Sequence, residues 1–180
     1  SGCGDSGIEV YQGTGTRITG CTAANNGNHG IQSGDQSQVK DCLATYNAAA
    51  GISAGQESSV EGCQASYNTG DGIRVTIACS VTGNVCDKNG DGGDGAGIHV
   101  VNYDSVVDGN RVYGCDRGID VDSYYNLIIR NRARSNTINY DIANLNRVGV
   151  IVSAPSSSPI SGSTGGAGVG TTDPWANFTY

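Results

Sequence analysis

Ser58-Ser-Val-Glu-Gly62-Cys-Gln-Ala-Ser-Tyr-Asn68-Thr-Gly-Asp-Gly72-Ile73 is the stretch from which the rest of the chain can be read. Its apolar residues come in short alternating bursts (Val60, then Cys63 and Ala65, then Ile73) and not at helical spacing. Gly62 and Asn68 stand where such a chain would bend. The closing Gly-Ile recurs at Gly7-Ile8, Gly30-Ile31, Gly51-Ile52, Gly97-Ile98 and Gly118-Ile119, with Asp141-Ile142 after them. Successive isoleucines lie 21 to 25 residues apart. A period that regular marks a solenoid.

Aligned turn by turn, the repeats form columns. Gly20, Asp41, Gly62, Gly83, Gly109 and Arg130 share a corner, where glycine and aspartate reach left-handed backbone angles cheaply. Beside it run Cys21, Cys42, Cys63, Asn84, Asn110 and Asn131, and two places on come Ala23, Ala44, Ala65, Cys86, Val112 and Ala133. Asn26, Asn47, Asn68, Asn89 and Asn136 occupy a second bend, with Cys3 and Cys115 in the same slot. Stacked amides there would bond backbone groups that the coil leaves unpaired. The pattern predicts three short strands per turn, stacked into three parallel sheets. About seven turns at ~4.8 Å each give a rod roughly 34 Å long. Leucines are few and out of register, against a leucine-rich repeat. The expected fold is an all-β, right-handed parallel β-helix over residues 1–152, followed by an irregular segment over 153–180.

Composition agrees. Glycine is 29 of 180 residues, methionine is absent, and all three prolines follow residue 150. A net charge of −7 argues against nucleic acid, whose phosphates need clustered Lys and Arg. No apolar run approaches the length of a membrane span. An acidic protein outside the cell or on its surface is expected. The opening at Ser1 leads one to expect a removed leader or a longer parent chain. Seven cysteines and two histidines, with no Cys-x-x-Cys, do not suit zinc. Cys21, Cys42 and Cys63 are expected to stack as small apolar residues.

Three places depart from the repeat. The long bend after Cys86 contains Asp87, Asn89, Asp91 and Asp94, beginning like a calcium loop. Ile98 stands where that motif needs its bidentate glutamate, leaving either a looser oxygen cage for calcium or a plain turn. Ser153 to Thr172 is rich in Ser, Gly and Pro, and Trp175, Phe178 and Tyr180 follow. These aromatics are expected to plug the open end of the last coil. Asn177-Phe178-Thr179 also reads as a glycosylation triplet, a common chance match. At the other end an uncovered edge of three sheets would pair with a further segment or another subunit.

Alternation in the opening strand places Glu9, Gln32, Ser53, Arg74, His99 and Asp120 in one outward column, with Asp122 in the next. Arg74, His99, Asp120 and Asp122 are the candidate catalytic residues, with Asp116 and Arg117 just before them. Paired carboxylates with a cationic neighbour are the equipment of glycoside cleavage. Weak charge pairing on a solvated face is the plainer alternative.

The repeat S-x-V-x-G-[CN]-x-[AV]-x-x-N-x-x-x-G-I resembles that of the pectate-lyase-like superfamily over residues 3–152. The resemblance implies the β-helix, and it implies carbohydrate chemistry less firmly. Pectate lyases use calcium-binding carboxylates and an arginine base beside long loops. Polygalacturonase-like relatives use three spaced aspartates, which Asp116, Asp120 and Asp122 do not clearly reproduce. The short turns here favour a non-catalytic extracellular structural protein that self-associates along its coil axis. A polysaccharide lyase, a glycoside hydrolase or a polysaccharide-binding module is the alternative.

Overall fold

The structure, a computed structural model, describes residues 1–10, 13–91, 93–153, 160–162 (backbone only) and 173–179. The chain winds as a right-handed parallel β-helix of about seven turns. The first sheet has eight strands, from Ile8–Glu9 through Ile73–Val75, Ala96–Val100, Arg117–Val121 and Ile138–Ile142 to Ile160–Gly162. The second has seven, from Arg17–Thr19 to Arg147–Val148. The third has eight, from Thr22–Ala24 through Arg132–Arg134 to two terminal strands, Asn177–Thr179 and Ile151–Ser153.

Each sheet sends residues inward in columns, two of them in the first sheet, where Ala54, Val75, Val100 and Val121 are buried beside the isoleucines. Ile31, Ile52, Ile73, Ile98 and Ile119 are fully buried in the first sheet, Val39, Val60, Val81 and Val107 in the second, and Ala44, Ala65 and Cys86 in the third. Every strand is too short to bury a face by itself, so the core exists only because identical columns stack. The seventh rung departs from the expected phrase. Tyr140, not Ile142, pairs with Ile119, and Ile142 falls beside Val121. Tyr140 is fully buried, and its hydroxyl donates to the carbonyls of Asn131 and Phe178, each at 3.0 Å. A phenol fits this otherwise apolar column because its polar end has acceptors there.

The bends explain the rest of the repeat. The expected corner column is left-handed, with φ of 53° at Asp41, 62° at Gly62 and 58° at Arg130. Each turn has two more such corners, one carrying Tyr46, Tyr67 and Lys88, the other Glu57, Tyr125 and Leu145. Side chains at left-handed corners cost about 1–2 kcal/mol. Gly62→Val is therefore expected to lower the melting temperature by several degrees. Leu145→Gly, at an exposed corner with φ 65°, should raise it, and Ser53→Val on the open face should change little. Thermal melts followed by circular dichroism check the order. Equal shifts for Gly62→Val and Ser53→Val would mean that the corner and the open face are wrongly assigned.

The glycine of Gly-Ile has a different reason. A Cβ on Gly51 would lie 2.5 Å from the Asn68 amide nitrogen and 2.8 Å from the Gly72 carbonyl. The asparagines of the bend occupy that space as a ladder. Asn47 accepts from the Asn26 backbone and side-chain amides, and Asn68 does the same for Asn47. A second ladder runs Asn84, Asn110, Asn131, Asn177. Where Cys63 takes the amide's place, its sulfur still accepts from the Cys42 N–H at 3.5 Å. A third, shorter ladder of Ser58, Ser105, Asn126 and Asn146 lines the remaining corner. All seven cysteines are free thiols.

Two of the three aromatics expected to plug the far end, Trp175 and Phe178, do not enter the core. Trp175 is 51% exposed and Phe178 41% exposed, while Ala176, Asn177 and Thr179 are buried. Trp175 lies on the outside against the Arg130 guanidinium, 5.2 Å from its ring centroid. The segment returns as a strand, and alternation turns Asn177 and Thr179 inward and Phe178 outward. Tyr140 fills the core instead. Tyr180 lies outside the described residues.

Candidate functional site

In the first sheet the residue after each isoleucine faces outward. The registers place Ser53 beside Arg74, Arg74 beside His99, His99 beside Asp120, and Asp120 beside Asp141. The column expected from the sequence is thus assembled and runs one rung further. Asp122 approaches the same histidine from the next turn. His99 is clamped from both sides, with Nδ1 3.0 Å from an Asp71 carboxylate oxygen and Nε2 3.0 Å from one of Asp122. Asp71 is itself fixed by the Ala96 N–H at 2.8 Å. Burial by itself would lower the His99 pKa, but its bonds to Asp71 and Asp122 outweigh that and raise it to about 9. The ring is an imidazolium at neutral pH, both N–H groups donating.

Arg117 is the second cation. It reaches Asp120 and Asp94 at 2.7 Å each, and Asp141 at 3.4 Å. Asp120 is 3% exposed. Burial raises its pKa, while Arg117 and His99 pull the other way. Asp122, two residues on, stands beyond the end of the same strand with its side chain 48% accessible. One oxygen from each of Asp120 and Asp122 and one His99 nitrogen lie within 4.8 Å of one another. The two aspartates border a groove of about 400 Å³ that Arg117, Asp141 and Asn144 also line. Across Arg117 lies a second hollow of about 400 Å³, bounded by Gly93, Asp94, Asp116 and Thr137. The long bend forms this wall. Its Gly93 N–H donates to Asp116 at 2.9 Å, and Asp94 holds Arg117.

Of the candidates read from the sequence, His99, Asp120 and Asp122 come together. Arg74 stands beside His99 in register and makes no ion pair among the described residues. The cage Asp87, Asn89, Asp91 and Asp94 is not assembled. Asn89 is fully buried, with its oxygen accepting from Asn68 and its nitrogen donating to Ala65. Asp94 is spent on Arg117. Among the described residues, the cluster of ligating side chains is His99, Asp120 and Asp122. That donor set does not suit the calcium that the resemblance implies. Calcium needs several free oxygens, whereas here one donor is an imidazolium and one carboxylate already carries a guanidinium.

Arg117 was expected only as a neighbour of the candidates, and Asp71 and Asp141 were not singled out from the sequence. Two places before each isoleucine runs the column His29, Ala50, Asp71, Ala96 and Arg117, a signal that points to Asp71 and Arg117. Asp141 stayed hidden because the seventh isoleucine was aligned to the wrong rung.

A family model described as right handed beta helix region matches residues 1–85 and 34–164. The crystal structure of pectate lyase Pel9A superposes with a TM-score of 0.73 at 19% identity, covering 89% of this chain and 49% of that one. This chain thus spans about half the length of that lyase, and the likeness is one of fold. No curated protein matches the chain significantly.

Proposed function

The chain belongs to the right handed beta helix family, and from that premise we propose that it is an extracellular carbohydrate-active protein cleaving a glycosidic bond in the groove beside Arg117. The observation that carries this reading is the pair Asp120 and Asp122. One carboxyl is buried with its pKa raised, the other is exposed, and their oxygens lie within 4.8 Å. Environments that push two carboxyls apart assign acid and base. In this reading Asp120 gives its proton to the leaving glycosidic oxygen as the bond from that oxygen to the anomeric carbon breaks. The Asp122 carboxylate, steadied by His99, attacks the anomeric carbon. Oxygens that approach within 4.8 Å accord with the close carboxyl pair of retaining enzymes, roughly 5–5.5 Å apart, and we take the retaining course as this reading's own. Water then releases the sugar as Asp120 takes back its proton.

The test is incubation with neutral and acidic polysaccharides. New reducing ends with retained anomeric configuration are expected, and Asp122→Asn and Asp120→Asn should each abolish them. An unsaturated, ultraviolet-absorbing product would mean elimination, and no product from any substrate would sink the reading. A second reading is favoured by the saturation of the cations, since His99 and Arg117 spend their donors on carboxylates. In that reading the sheet is a passive scaffold or binding face and the coils associate end to end. Polysaccharide co-sedimentation without product, or concentration-dependent light scattering, would support it.

A further inference from the structure

The third sheet does not follow chain order at its far end. The strand after Arg132–Arg134 is Asn177–Thr179, and Ile151–Ser153, which precedes it in sequence by 26 residues, is pushed one rung outward. Arg132 pairs with Phe178 and Ala133 with Thr179 on one side, while Ile151, Val152 and Ser153 pair with Asn177, Phe178 and Thr179 on the other. The late segment thus occupies the place that the continuing coil would otherwise fill.

Its bonds are specific to that place. The Arg130 N–H donates to the Trp175 carbonyl at 3.1 Å, the Asn177 N–H to Val150 at 2.8 Å, and the Phe178 N–H to Asn131 at 2.8 Å. Asn177 extends the asparagine ladder. It accepts from the Asn131 backbone and side-chain amides at 2.9 and 3.1 Å and donates to Ile128 and Gly149 at 3.0 and 2.9 Å. Thr179 and Asn139 bond side chain to side chain. Gly149 has no Cβ where one would overlap the Trp175 carbonyl. Were Ile151 to drop into the vacated rung, its side chain could satisfy none of the groups that Asn177 meets, and each would be left unpaired and buried.

We propose that this rung is a strand-binding site that can take the segment 173–179 from a second copy of the chain in place of its own. None of these contacts depends on which chain carries the strand. The segment's own fold is local, a turn in which the Trp175 N–H donates to the Asp173 carboxylate at 2.8 Å and Ala176 to the Asp173 carbonyl at 3.2 Å. It lies between two strands that precede it in the chain, and Ile151–Ser153 joins this sheet only through it. Main-chain pairing supplies affinity and the buried Asn177 supplies selection, as in strand addition generally.

The test uses the full chain carrying Asn177→Ala, which weakens its own strand, and a fluorescent peptide of residues 173–180. Saturable binding by anisotropy is expected. A peptide with the same Asn177→Ala change should bind at least about tenfold more weakly, and the unaltered chain, with its rung filled, should bind little. In a second arm the unaltered chain is warmed at high concentration to just below its transition and cooled. Dimers are expected by light scattering, reduced by excess peptide. Failure of a well-folded Asn177→Ala chain to bind the peptide overturns the proposal. Should that variant not fold, dimers indifferent to the peptide, or no dimers, overturn it.

Discussion

Replacing Asn110 by leucine is expected to lower the melting temperature by about 10 °C or more. The side chain is fully buried. Its oxygen accepts from the Asn84 backbone and side-chain amides at 2.8 and 3.0 Å, and its nitrogen donates to the Val81 carbonyl at 2.9 Å and to Asn131 at 3.0 Å. Leucine matches the size but removes four hydrogen bonds and leaves the buried Asn84 N–H without its acceptor, while Asn131 keeps the Asn110 backbone N–H and the Asn84 amide keeps Val60. The stranded group costs about 1–3 kcal/mol and the other lost bonds add to it, and in a chain of this length one kcal/mol moves the midpoint by about 2–4 °C. The control is Gln64→Leu on the exposed side of the third sheet, expected to stay within about 0.5 kcal/mol. Calorimetry on both decides the point. Similar midpoints would mean that the ladder contributes shape and not hydrogen bonding.

Stability is expected to fall between about pH 6.5 and pH 9, and His99 is the reason. Its folded pKa, about 9, lies above the ordinary 6.5. The folded state therefore holds a proton that the unfolded chain has released in that window, so each step upward in pH favours unfolding. The contribution is complete below pH 6.5 and gone above pH 9. A displacement of that size corresponds to about 3 kcal/mol, reduced to about 2 by partial exposure. The groups facing the ring are Asp71, Asp122 and Asp120, with Arg74 beside it. His99→Gln should flatten the slope of denaturant midpoints across that range. A slope unchanged by the substitution would place its origin elsewhere.

The coil was legible because its forces repeat. Isoleucine, valine and alanine columns, one corner and the bend asparagines all recur at a fixed period, and any one turn predicts the next. What failed was local and singular. Tyr140 replaces an isoleucine only because two carbonyls lie within reach of its hydroxyl, and no periodicity announces that. Trp175 and Phe178 suggested a plug by hydrophobicity alone. Strand alternation decided otherwise, burying a polar residue, Asn177, whose side chain makes four hydrogen bonds to three residues. In the site, the column holding His99 and Asp120 followed from alternation. Asp94 instead pairs with Arg117, twenty-three residues on, a contact across turns that the local Asp-rich spacing does not announce.

The displaced order of the last rungs has a consequence for synthesis. Residues 151–153 leave the ribosome before residues 173–179, separated by a delay of roughly 1–5 s at ordinary elongation rates. During that delay Asn131 offers an amide and Ile128 a carbonyl to a partner that does not yet exist, and Ile151–Ser153 lies nearest. The nascent protein must therefore either hold its seventh rung vacant or fill it provisionally and yield it. A chain stopped within that interval would carry nearly every coil and still lack the one asparagine that completes the stack. Ribosomal pausing between 153 and 173 would lengthen the time in which another molecule can supply it.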